Sequence, residues 1–143
     1  MFQDEGLGIH IINRLLELKL DHYVDLIDGG TDGMSLLGPV EAAQQLLVID
    51  AVDGGFKPGT IKRWERDEIP MVAQSRISPH QAGFQDVLAL AKMRGRIPSQ
   101  MVLIGVQPQS VAWGTQLTPT VAKTLPIVVD LVCWQIKQWI KPE

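Results

Sequence analysis

At 143 residues, with 45% hydrophobic and 20% charged residues, the chain is long enough for one domain with its own core. A formal net charge of -3 leaves no electrostatic footprint for nucleic acid. A single cysteine, Cys133, excludes a disulfide framework and a cysteine metal cage within the chain, and fits a reducing cytoplasm. No apolar run approaches the ~20 residues of a membrane span, and the acidic, glycine-bearing start is not a signal peptide.

In chain order, Ile9, Ile12, Leu16 and Leu20 recur at spacings of three or four and predict one face of a helix over 8–20. "YVDLIDGGTDG" reads as a short strand ending in a glycine-rich loop, and "SLLGPVEAAQQ" as a short or broken helix. "LLVIDAVDGG" combines an aliphatic run with an acid and predicts a strand buried on both faces. The poor alternation in "KPGTIKRWERDEIP" predicts a short edge strand after a turn. "SPHQAGFQDVLALAKMRG" predicts a helix that ends at Gly95, with Phe84, Val87, Leu88 and Ala91 as its stripe. "MVLIGVQP" is a second buried strand. In the closing segment Thr118 caps a helix with Pro119 at its first position. Leu125, Val129, Val132, Ile136 and Trp139 then form one face of a long helix with Pro126 near its start.

Helices alternating with strands predict an α/β fold: a three-layer αβα sandwich around a mostly parallel, twisted sheet, in one domain over 1–143. A βα unit begins with β, whereas this chain begins with α. One strand is therefore expected to be missing before Met1, by truncation or by a start placed too late, and the 48–50 strand should then have an open edge.

In open α/β sheets, ligand-binding groups gather at the carboxyl ends of strands. Asp4 and Glu5 sit in the first turn, Asp50 ends "LLVID", and His80 opens a helix in "SPHQ". Two carboxylates and an imidazole suit a transition metal such as nickel or zinc, and equally a metal-free acid–base set. Each also has an ordinary explanation. An acid favours a helix N-terminus, an aspartate caps a turn, and a lone histidine bonds to backbone. His10 reads as a half-exposed helix residue and His22 as solvated, Cys133 as inert core or near-core, and Trp134 and Trp139 as packing. The 28–33 loop, with Asp28, Gly29, Gly30 and Thr31, lacks the spacing of a phosphate loop and could line a peptide groove. "DAVDGG" reads as a turn.

Taken together, "DEGLG", "IDGGTDG", "VIDAVDGG", "PGT", "SPHQAGFQDVLALAKMRGRIP" and "VLIGVQPQSVAWGTQLTPTV", in this order, resemble the hydrogenase maturation endopeptidases along essentially the whole chain. The hydrophobic strand and Gly-x-Gly-Asn segment that precede the family's acidic turn are absent from this sequence. The resemblance implies a hydrolase that trims the C-terminal extension of the large-subunit precursor of a nickel–iron hydrogenase. It implies metal ligands at Glu5, Asp50 and His80, nickel supplied by the precursor, and substrate contacts from Asp28, Gly29, Gly30 and Thr31. A cytoplasmic monomer acting on no nucleic acid or membrane is expected. An inactive remnant that only binds the precursor, and a small-molecule hydrolase or nucleotide binder on the same scaffold, are the competing readings.

Overall fold

The computed structural model describes residues 7–27, 36–52, 54–69, 84–109 and 118–140. Three strands form its sheet: β1 (Gln45–Ala51), β2 (Ile61–Glu65) and β3 (Gln100–Val106), in the order β1-β3-β2. β3 is central. It pairs parallel with β1, Asp50 opposite Gly105, and antiparallel with β2, Ile61 opposite Val106. The carboxyl ends of β1 and β3 and the start of β2 therefore share one end of the sheet.

Alternation along the strands separates two cores. On one face Val102, Ile104 and Val106 pack with Leu47, Ile49 and Ile61. This face is covered by α1 (Leu7–Glu17), by the single turn α4 (Pro119–Ala122), and by α5 (Leu125–Ile140). On the other face Met101, Leu103, Leu46, Val48 and Trp64 pack under α2 (Leu37–Ala42) and α3 (Phe84–Met93). An ion pair of 2.6 Å from Arg94 Nε to Glu41 ties the end of α3 to α2. The sandwich of helix, sheet and helix is the one the sequence predicts.

The ends of α3 and α4 follow from local chemistry. Gly95, at φ +68°, closes α3; its N–H donates to the Lys92 carbonyl at 3.0 Å and that of Arg96 to the Ala91 carbonyl at 2.9 Å, a left-handed glycine stop. Thr118 Oγ1 accepts from Val121 N at 3.4 Å and caps α4 ahead of Pro119.

Several expectations are corrected. The buried stripe of α1 is Leu7, Ile11 and Leu15, whereas Ile9 and Ile12 are half-buried and Leu16 is exposed. The helix stops at Glu17, and Lys19 at φ 61° leads into a 3₁₀ turn at Leu20–His22. Residues 23–27 form no strand, and the rest of that predicted strand lies outside the described residues. β1 is half-buried from Leu46 to Asp50 instead of buried on both faces, because among the described residues it has a partner only on its β3 side. The closing segment is two helices, since Thr124 turns back to bond the Val121 carbonyl through Oγ1 at 2.6 Å before Pro126 restarts the coil. Trp134 is 53% exposed, with the Arg63 guanidinium 5.9 Å from its ring centre.

Candidate functional site

Of the residues that the sequence nominates, the structure describes Asp50. Glu5, His80, Asp28, Gly29, Gly30 and Thr31 lie outside the described residues. Asp50 sits at the carboxyl end of β1, half-buried, where a parallel sheet leaves its strand ends open to ligands. It has the parity of Leu46 and Val48, so its side chain emerges on the α2/α3 face. Its Oδ1 accepts a hydrogen bond from Ala51 N at 2.9 Å. This local bond is the ordinary role expected of an aspartate at a strand end, and it also fixes the carboxylate's direction.

Two helix starts belong to the same end of the molecule. A Cβ on Gly8, in the first turn of α1, would lie 3.7 Å from the Ile49 carbonyl oxygen, so α1 begins beside the residue before Asp50. α3 leads into β3 through the short 94–99 connection. A helix that returns so directly to the start of β3 has its own N-terminus toward the carboxyl end of the sheet. Among the described residues no three His, Cys, Asp or Glu side chains gather as a metal site.

The sequence reading passes over Gln107. This residue follows β3, is 7% exposed, and organises the connection from β1 to β2. Its Oε1 accepts from Gly54 N at 2.9 Å and Phe56 N at 3.1 Å, and its Nε2 donates to the Pro108 carbonyl at 3.3 Å. Two N–H donors converging on one atom identify that atom as the oxygen. Its backbone adds an N–H to the Thr60 carbonyl at 2.9 Å, and its carbonyl accepts from Gly59 N at 2.9 Å. Upstream of the pinned turn, Val52 N donates to the Val106 carbonyl at 3.0 Å, extending the parallel ladder past Asp50. Phe56 meets Trp64 with ring centres 6.4 Å apart, and Lys62 Nζ lies 5.1 Å from the Phe56 ring centre. No sequence motif announces this, because the partners of Gln107 lie about fifty residues upstream.

Helices on both faces of a sheet, with Asp50 near the carboxyl end of β1 and parallel β3 beside it, define an α/β protein. The chain belongs to the hydrogenase maturation protease family, whose model matches residues 9–135. It is 39% identical over 142 residues to the hydrogenase expression/formation protein HupD of Rhodobacter capsulatus, covering 97% of this chain and 68% of that protein. It is 34% identical over 140 residues to the hydrogenase 2 maturation protease of Escherichia coli, covering 96% and 85%. The fold is similar to that of the hydrogenase maturating endopeptidase HybD from E. coli, with a TM-score of 0.83, 32% identity, and coverage of 97% and 87%.

Proposed function

We propose that this chain is an endopeptidase that removes the C-terminal extension from the nickel-loaded large-subunit precursor of a nickel–iron hydrogenase. The position of Asp50 carries the reading: an oriented carboxylate at the carboxyl end of a parallel strand pair, in a chain of this family. Glu5, Asp50 and His80 are the proposed contact set for the nickel that arrives with the precursor. Two carboxylates and an imidazole suit that ion. α1 is described from Leu7, two residues after Glu5, and lies beside Ile49, and α3 is described from Phe84, four residues after His80, and runs from the same end of the sheet. Both starts support convergence of the three side chains.

The nickel would polarise the scissile carbonyl while the protein holds the precursor. Asp50 or Glu5 takes the proton of the attacking water, the amide C–N bond breaks, and the departing amine receives the proton. Asp28, Gly29, Gly30 and Thr31 are proposed to hold precursor backbone. The same reading makes the chain a cytoplasmic monomer with a carboxylate-type mechanism. No described helix is long and apolar enough to cross a membrane.

The test is processing of nickel-loaded precursor by the full chain. Asp50→Asn and His80→Ala are each expected to slow cleavage by at least about 100-fold, the lower range for loss of a positioned acid–base group, with unchanged far-UV circular dichroism. Cleavage at the wild-type rate by both variants would overturn the assignment of these residues. Binding of the precursor by the wild-type chain without any cleavage would instead identify a binding-only protein.

A further inference from the structure

The turn at residues 54–56 combines two properties that usually exclude each other. Gly54 and Gly55 are exposed, yet the turn is anchored from below by a buried side chain. Gln107 Oε1 holds the N–H groups of Gly54 and Phe56, and Phe56 is in turn packed against Trp64. Any side chain at either position would strain the turn or displace the Phe56 ring. Gly55 has φ +77°, and a Cβ on Gly54 would lie 2.5 Å from the Phe56 ring. The turn follows Asp50 by four residues and lies over the same end of the sheet. Exposed backbone held this firmly at the same end of the sheet as the proposed catalytic Asp50 is suited to receive an extended polypeptide, because little ordering entropy is lost when the polypeptide binds.

We propose that Gln107 is a positioning residue for substrate docking: it fixes the 54–56 turn as the surface on which the precursor's polypeptide lies while Asp50 meets the scissile region. This rests on the endopeptidase reading of the site. Gln107 touches the turn and acts through it. Asp50 itself is held separately, by β1 and by the Val52–Val106 bond beyond it. Releasing the turn therefore acts on precursor binding more than on bond cleavage.

Gln107→Leu keeps the approximate volume and removes the acceptor. It is expected to raise KM for nickel-loaded precursor about tenfold, the equivalent of one neutral hydrogen bond, with kcat changing less than about threefold. Amide exchange at Gly54 and Phe56 should accelerate in the same variant. Gly54→Ala disturbs the turn from its other side, with Gln107 intact, and should give the same rise in KM. It supplies the answer if Gln107→Leu fails to fold. Wild-type KM in the folded variants, or a loss confined to kcat, overturns the proposal. A wild-type chain that neither binds nor cleaves the precursor overturns the endopeptidase reading itself, and the two failures are told apart by that control.

Discussion

Gly105 shows how closely the central strand is fitted around Asp50 and its neighbours. It pairs with Asp50 on one side and Lys62 on the other. A Cβ there would lie 2.7 Å from the Trp64 ring and 2.9 Å from Val52 Cγ2, both inside ordinary contact. Neither neighbour has an easy retreat: Trp64 is braced by Phe56, and Val52 is 3% exposed. Gly105→Ala is expected to lower stability by about 1–3 kcal/mol, as overpacking does in well-filled cores, net of the small entropic gain from replacing glycine. Urea unfolding with an unchanged m-value measures it, and a variant as stable as the wild type would show that the Trp64 ring moves aside freely. At this scale the sequence is only partly legible. Asp50 stands out because it ends an aliphatic run. Gln107 does not, since a glutamine after a strand has no pattern of its own and its role exists only once the 54–56 turn is folded against it.

The elements were readable in proportion to how uniquely their periodicity fixes them. β3 is a continuous apolar run, and it is the buried central strand. Gly95 and Thr118 mark helix ends through backbone chemistry that acts locally. The phase of α1 is ambiguous in the sequence because Leu7, Ile9, Ile11, Ile12, Leu15 and Leu16 supply two overlapping stripes at helical spacing. Only tertiary packing selects Leu7, Ile11 and Leu15. β1 has an equally apolar run, yet its residues from Leu46 to Asp50 are half-buried, because burial depends on a neighbour that periodicity cannot supply. Among the described residues β1 is bonded only through β3. Successive N–H groups of a strand point to opposite sides. One of Val48 and Ile49 therefore directs its amide away from β3, whereas Leu103 and Ile104 lie in a strand paired on both sides. Hydrogen exchange should find the outward-facing amide of the β1 pair less protected than both β3 amides. Equal strong protection at all four positions would mean that this edge is covered.

The whole molecule depends on β3 because it is the wall shared by two cores. Ile104 belongs to the core under α1 and α5, and Leu103, its neighbour in the chain, to the core under α2 and α3. No described helix spans both faces, so the cores communicate through the sheet. If they unfold as one unit, a defect on one face must lower the protection of the other. Ile104→Val removes one buried methylene and is expected to cost about 0.5–1.5 kcal/mol. In native-state exchange limited by global opening, that cost accelerates amides about 2- to 12-fold. The same factor is expected for Val128 and Val132 in α5, which share the core of Ile104, and for Val87 and Leu88 in α3, which do not. If only the α5 amides accelerate, the two faces open separately. The proposed site at the carboxyl end of the sheet would then be built across a boundary between two cooperative units, since Asp50 emerges on the α2/α3 face while α1 passes beside Ile49 on the other. A common factor would mean that one folding event sets both halves of the site.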